Sequence, residues 1–141
     1  MHREKIRLGL IDDHTLVRQT WKMLLQIQQD MEVVMDCDSG PSAISCLHET
    51  RPDVVLLDIN MSPMNGFETA SHLMKLDPEL KVIGISVNDQ PSYAKRMLNI
   101  GAHAFVTKNS SVNEMITAIR EVLKGRYYIC CEVRRKMPLE G

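Results

Sequence analysis

Three aspartates and one lysine carry the most pointed chemistry in this chain of 141 residues. Asp12-Asp13 follows one short apolar run and Asp58 follows another, while Ser86 and Thr107-Lys108 stand at the ends of two more. If the runs that end in Asp12 and Asp58 are neighbouring strands, three carboxylates crowd into one pocket. Like charges held a few ångströms apart raise one another's pKa or recruit a cation. Hard oxygen donors of this kind suit Mg²⁺, which is held by a few carboxylates and keeps several waters. Lys108 balances the opposite side and Ser86 adds a hydroxyl. Neither a His or Cys nucleophile nor a glycine-rich phosphate loop accompanies the set. The chemistry it fits is attack of a carboxylate on a phosphoryl group, with the cation and the lysine neutralising charge that develops on the equatorial oxygens. Transfer of that sort depends on positioning and electrostatics more than on covalent assistance.

Two alternating hydrophobic periods must position these groups. Runs of strand length, rich in β-branched residues, lie at Ile6 to Ile11, Met31 to Cys37, Val54 to Leu57, Val82 to Ser86 and Ala104 to Val106. Between them, apolar residues recur every three or four positions, as in Leu16, Val17, Trp21, Leu24 and Leu25, or Met115, Ile116, Ile119 and Val122. Ser39-Gly40-Pro41-Ser42, Arg51-Pro52-Asp53, Asp77-Pro78 and Asn88-Asp89-Gln90-Pro91 punctuate the boundaries. Five βα units in succession demand crossover connections, hence an α/β fold with a parallel sheet covered by helices on both faces. The third and fourth strands lack polar alternation, as doubly covered strands should; Arg7 interrupts the first. By analogy with doubly wound folds, the expected arrangement is five strands in the order 2-1-3-4-5. In such sheets ligands bind beyond the carboxyl ends of the strands, where the aspartates, Ser86 and Lys108 fall.

Composition excludes several classes. Lys+Arg number 17 against 18 Asp+Glu, a formal net charge of -1, so the clustered basic surface that phosphate backbones require is absent from these residues. Aromatics make up only 4%, too few for a stacking platform, and aliphatic side chains with 10 Met fill the core. Cys37, Cys46, Cys130 and Cys131 have no metal-ligand spacing and read as reduced thiols of a cytoplasmic protein. The charged start of the chain is not a signal peptide, and no run is long and apolar enough to span a membrane.

The residues that carry the chemistry also carry a resemblance. The Asp12-Asp13 pair, the stretch Asp58-Ile59-Asn60-Met61-Ser62-Pro63-Met64-Asn65-Gly66, Ser86, and Gly101-Ala102-His103-Ala104-Phe105-Val106-Thr107-Lys108 together resemble the receiver domain of two-component response regulators. The likeness covers residues 5–125 and implies the flavodoxin-like fold of that family. It implies Asp58 as the phosphoacceptor, fed by a sensor histidine kinase or phosphotransfer protein, in a switch that catalyses its own phosphorylation and dephosphorylation and is not an enzyme in the ordinary sense. Mg²⁺ (or Mn²⁺) would be held by Asp12, Asp13, Asp58 and the main-chain carbonyl of Asn60. Lys108 and Ser86 would stabilise the phosphoryl group, Ser86 and Phe105 would form the switch, and Asn60 and Asn88 would tune dephosphorylation. The faces of the fourth helix, fifth strand and fifth helix would then change which partner or twin subunit they bind. Two departures stand out: the proline that usually follows Met61 is displaced to Pro63, and Asn109 follows Lys108 where many receivers have proline.

Beyond Lys124-Gly125, a helix-closing signal, residues 126–141 resemble the linker that leaves a receiver in LuxR/NarL-type transcription regulators. The expectation is a linker or tail leading to a helix-turn-helix domain, which would supply the contact with DNA, and a homodimer on phosphorylation. Other readings compete with this one. A stand-alone receiver would act by protein contacts alone. A phosphatase with an Asp nucleophile would need Asp-x-Asp after the first strand, which Asp12-Asp13 does not provide, and a nucleotide or flavin carrier would need a phosphate loop there. Asp13 could simply cap the helix near Thr15, Phe105 could be plain core, and Ser86 or Lys108 could be an ordinary strand-end residue. His14 and His103 read as partly exposed loop residues on the site side of the sheet, with His14 able to tune access.

Overall fold

A computed structural model describes residues 4–138. Six strands alternate with six helices: β1 Ile6–Ile11, α1 Thr15–Gln26, β2 Met31–Cys37, α2 Gly40–Thr50, β3 Val54–Asp58, α3 Gly66–Leu76, β4 Lys81–Ser86, α4 Pro91–Ile100, β5 Ala104–Thr107, α5 Val112–Leu123, β6 Tyr128–Ile129 and α6 Cys131–Arg134. The sheet order is β2-β1-β3-β4-β5-β6, and every neighbouring pair is parallel. The order expected for the first five strands is therefore correct, and each expected strand is found to within a residue at either end.

Val54, Val55, Leu56 and Leu57 are all buried, because β3 lies at the centre of the sheet with helices on both faces. Each such side chain contributes roughly 1.5–3 kcal/mol on leaving water. Arg7, which breaks the apolar run of β1, sits near the strand's start. Its guanidinium donates to the carbonyls of Thr50 and Arg51 at the C-terminal end of α2, and its backbone N–H donates to Asp53 Oδ2 at 2.9 Å. The charge thus stays at the rim of the sheet. Helix starts follow the local chemistry. Ser39 and Ser111 accept from the N–H groups of Ser42 (3.2 Å) and Glu114 (3.0 Å), and Asn65 and Glu68 form a reciprocal capping box at α3. Gly125 adopts φ 82°, the conformation that ends α5.

The sixth strand corrects the expectation of five strands and a plain linker. Tyr128 and Ile129 pair with Ala104 and Phe105 on the edge of β5, and Cys130 and Val133 of the following segment are buried. Glu114 of α5 fixes this strap: its Oε2 accepts from the Tyr128 hydroxyl and from the Cys131 backbone N–H, both at 2.8 Å. Burial and the neighbouring Glu114 carboxylate push the Tyr128 phenol up to about 12. Thr107 donates to Glu132 Oε1 at 2.7 Å, and Lys136 pairs with Asp89 at 2.6 Å. A two-residue strand lies below the length at which alternation can be read. Residues 139–141 of the expected tail lie outside the described residues.

His103 is also placed differently from the expectation. It precedes β5, with its N–H donating to Val82 O at 2.9 Å and its Nδ1 accepting from Val82 N at 3.2 Å, at the end of the sheet away from the aspartates. Burial, helped by Lys81, lowers its pKa.

Replacing Glu114 with Ala should lower stability by about 1–3 kcal/mol, the cost of leaving two partly buried donors without their partner. Amide hydrogen exchange should accelerate across residues 128–133 while the central strands keep their protection. Unchanged exchange in the strap would mean that its apolar contacts alone hold it.

Candidate functional site

Adjacent parallel strands β1 and β3 end side by side, and both deliver carboxylates to the same crevice. Asp12 and Asp13 follow β1 directly, and Asp58 is the last residue of β3. One oxygen from each of the three, together with His14, falls within a cluster whose ligand atoms lie within 4.8 Å of one another. Asp58 is fully buried and Asp12 nearly so, whereas Asp13 is exposed. The start of α3 sits hard against β3: a Cβ at Gly66 would collide with the Ile59 backbone and the Asp58 carbonyl. The Ser62-Pro63 peptide in the connecting loop is cis.

Lys108 arrives from the loop after β5, with Nζ 3.3 Å from Asp58 Oδ2 and 3.3 Å from Asp12 Oδ2. The other oxygen of Asp58 accepts from the Asn60 backbone N–H at 2.9 Å. Burial raises the Asp58 pKa, and the nearby Asp12 carboxylate adds to the rise against the opposing pull of the Asn60 N–H and Lys108. Three carboxylates against one ammonium leave net negative charge in the crevice, and the donors are hard oxygens. The residues therefore fit a divalent cation such as Mg²⁺.

Ser86, buried at the end of β4, donates to Asn60 Oδ1 at 2.9 Å and accepts from the Asn88 N–H at 2.9 Å. Asn88 lies just beyond, and its own Oδ1 accepts from the Gln90 N–H at 2.8 Å, so that amide shapes the entry to α4. Phe105 is completely buried on β5, one strand from Ser86 and paired in register with Gly84. The structure thus gathers Asp12, Asp13, Asp58, Asn60, Ser86 and Lys108 at one crevice, with Phe105 behind it and Asn88 at its rim.

Sequence reasoning underplayed His14. The helix cap assigned as an alternative to Asp13 is instead His14, which makes no side-chain capping bond. Its ring turns to the aspartates and Lys108: Nδ1 lies 3.1 Å from Asp12 Oδ1, 3.2 Å from Asp13 Oδ1, 3.6 Å from Asp58 Oδ2 and 3.2 Å from Lys108 Nζ. The missing N-cap residue of α1 was the signal available in the sequence. The candidate nucleophile of a phosphatase would stand after β1, but the carboxylate enclosed by Lys108 and the Asn60 N–H stands at the end of β3.

A doubly wound parallel sheet with an acidic crevice at the ends of β1 and β3 is the architecture of a signalling receiver. The model of the response regulator receiver domain matches residues 8–120, and the chain belongs to that family. It is 35% identical over 129 residues to the transcriptional regulatory protein DegU of Brevibacillus brevis, covering 92% of this chain and 55% of that protein. Response regulator GacA of Pseudomonas viridiflava is 33% identical, covering 96% and 64% respectively. Among solved structures, a LuxR-family two-component response regulator from Aurantimonas sp. SI85-9A1 superposes with a TM-score of 0.89 at 26% identity, covering 94% of this chain and 95% of that one. The receiver domain of the putative response regulator NarL from Mycobacterium tuberculosis gives 0.82 at 32% identity, covering 88% and 100%. The domain is of the LuxR/NarL type. The chain spans between half and two thirds of the length of these curated relatives.

Because the Asp58 pKa is raised in the folded state, the folded chain holds that proton to higher pH than the unfolded one. Its contribution to stability is complete below the ordinary carboxylate range and is lost as pH rises through the folded value. Asp58→Asn should therefore melt above the wild type at neutral pH, by about 2–4 °C for each ~1 kcal/mol recovered, with the gap closing near pH ~4. Calorimetric melting across that pH range checks the sign; a variant that melts below the wild type at neutral pH contradicts it.

Proposed function

We propose that Asp58 accepts a phosphoryl group from a sensor histidine kinase or phosphotransfer protein and that the domain thereby switches an output in transcription regulation. The observation that carries this reading is the fully buried Asp58 carboxylate, enclosed by Lys108 at 3.3 Å and grouped with Asp12 and Asp13. A carboxylate oxygen of Asp58 attacks phosphorus, the P–N bond of the donor phosphohistidine breaks, and its electron pair stays with the imidazole, which takes up a proton. Asp12, Asp13, Asp58 and the Asn60 carbonyl would hold Mg²⁺ (or Mn²⁺). When bound, the cation offsets charge on the phosphoryl oxygens. Lys108 neutralises a further share, and the Asn60 backbone N–H keeps the acceptor oriented.

The new oxygens offer Ser86 a charged acceptor in place of the neutral Asn60 amide, and hydrogen bonds to charged groups are the stronger. Ser86 then leaves Asn60 and draws the β4 end inward. Phe105, packed beside that strand, supplies the second half of the switch, by packing alone because it has no hydroxyl. Asn60 and Asn88 border the route by which water would reach the acyl phosphate, so both tune its lifetime. The likeness to the transcriptional regulatory protein DegU supports an output in transcription; contact with DNA through a domain beyond the tail, a homodimer as the active form and a cytoplasmic setting belong to the same proposal. Among the described residues, no helix is long and apolar enough to cross a membrane. The receiver itself works as a phosphoacceptor switch with self-catalysed turnover.

A partner can approach beside the crevice. Leu16 is 83% exposed on α1 and borders a groove shared with Trp21, Lys108 and Ser110.

Incubation with Mg²⁺ and acetyl phosphate should give an adduct of one phosphoryl mass that hydroxylamine removes, and Asp58→Asn should give none. Equal labelling of that variant overturns the assignment of the acceptor. Leu16→Asp should leave labelling by acetyl phosphate unchanged while slowing transfer from a phosphorylated kinase domain; equal slowing of both donors would instead place Leu16 within the phosphoryl site.

A further inference from the structure

Arg18 is a largely buried cation that takes no part in the phosphoryl chemistry proposed for Asp58. It stands in the first turn of α1, and its side chain is only 12% exposed. Its guanidinium spans two segments. Nη1 donates to the main-chain carbonyl of Asp12 at 2.6 Å, and Nε donates to Asp36 Oδ1, on the edge strand β2, at 2.5 Å. The N–H of Asp12 in turn donates to the Cys37 carbonyl at 3.1 Å. The Asp12 backbone is therefore tied on both sides before its side chain reaches the crevice. The carbonyl that Arg18 holds belongs to the peptide joining Asp12 to Asp13. A planar peptide whose oxygen is fixed also fixes the Cα from which the next side chain departs. Asp13, exposed as it is, takes its place from that peptide.

Charge alone argues against a cation here, because a positive group near three carboxylates opposes any divalent ion they hold. Asp36 offsets this. It pairs with the guanidinium, so the donor stands behind the acid pair as a neutral unit. Lys22 reaches the other Asp36 oxygen at 3.4 Å from one turn further along α1, with its side chain 41% exposed.

We propose that Arg18 is a positioning residue for the cation-binding acids: it sets the Asp12–Asp13 peptide, with Asp36 as its anchor and counter-charge. The inference rests on the reading of the acidic cluster as a Mg²⁺ site. Two donors on a rigid planar fork hold the peptide at a set distance from β2, which a single ammonium on a flexible stem does not do. Through Arg18, the edge strand thus helps to support a crevice built at the ends of β1, β3 and β5.

The test is Mg²⁺ binding to the whole chain by calorimetry, with melting in the absence of metal and the Mg²⁺ dependence of labelling by acetyl phosphate as further readouts. Arg18→Met keeps a long apolar stem but loses donors and charge, and it should weaken Mg²⁺ binding by about tenfold, the lower end of what outer-shell substitutions cause. The Mg²⁺ concentration that half-saturates labelling should rise by the same factor. The rate at saturating Mg²⁺ should stay within about twofold, because Asp58 and Lys108 are untouched. Arg18→Lys, which keeps the charge and loses the fork, should fall between the two, and it carries the test even if Arg18→Met melts early. Asp36→Asn should also weaken binding, and should add no more than about twofold to Arg18→Met, since residues in one chain of contacts are not additive. Lys22→Met, which cuts only the exposed pair, should stay within about twofold of the wild type. Tighter Mg²⁺ binding by Arg18→Met would mean that only the charge of Arg18 reaches the site, and it overturns the inference. A lowered melting temperature with unchanged Mg²⁺ affinity, the mark of a purely structural residue, overturns it as well. Undiminished Mg²⁺ binding by Asp13→Asn overturns instead the underlying reading of the acidic cluster.

Discussion

Everything distinctive in this domain follows from holding a buried carboxylate next to two others. Asp58 is fully enclosed, and Asp12 lies close enough to raise its pKa. Such a group survives only with compensation. Two parts of the fold supply it. The β3–α3 loop aims the Asn60 N–H at one oxygen, and the loop after β5 brings Lys108 to the other. Lys108 lies far from Asp58 in sequence, so the neutralising charge exists only when β3, β4 and β5 are correctly ordered. The site and the sheet topology are therefore one constraint: a parallel sheet with β1 beside β3 is what brings the acids together, and β5 beside β4 is what brings the lysine.

The same end of the sheet links the crevice to the far edge of the molecule. Thr107 immediately precedes Lys108 and donates to Glu132 in the strap formed by β6 and α6, while Asp89, in the loop between Ser86 and α4, pairs with Lys136. Both loops that border the crevice thus have a second attachment, on the strap. The strap pairs with β5 and packs against α4 and α5, so the face expected to exchange partners is already partly covered. A switch that moves Ser86 and Phe105 must work against, or through, these attachments. Tyr128, with its hydroxyl on Glu114, anchors the near end of the strap to α5 and leaves the far end, around Lys136, held by an exposed ion pair of small net worth.

Much of this was legible from residue order. Central parallel strands must be apolar on both faces, so Val54 to Leu57 and Val82 to Ile85 stand out as continuous runs, and the residue after each run falls at the ligand-binding end. That logic located Asp12, Asp58, Ser86 and Lys108. It failed where the determinant is a relation between distant segments. Tyr128 and Ile129 are too few to show a period and become a strand only because β5 offers an unpaired edge. His103 was misplaced because it stands before β5, and the side of the sheet on which a loop lies depends on which end of the strand it joins. Asn88 stands at the rim of the crevice, where its Oδ1 accepts from the Gln90 N–H, a bond that depends on how the loop enters α4. His14 is the exposed loop residue expected, and its contacts with Asp12, Asp13, Asp58 and Lys108 form only once β1, β3 and β5 lie side by side in the sheet.

The contrast between the two residues that follow Asp12 bears on how such a site divides its labour. Asp13 is exposed and contributes charge without being committed to the core, and the His14 side chain beside it is more accessible still. Asp58 and Asp12, by contrast, are fixed by burial and by backbone hydrogen bonds at 2.9 and 2.8 Å. The buried pair defines where reacting atoms must sit, and the exposed pair faces what arrives. Because the exposed residues carry little of the packing, substitutions there leave the junction of β3 with α3 undisturbed. The buried residues have no such freedom: any change at Asp58 alters at once the charge that Lys108 answers, the bond from Asn60 and the junction of β3 with α3.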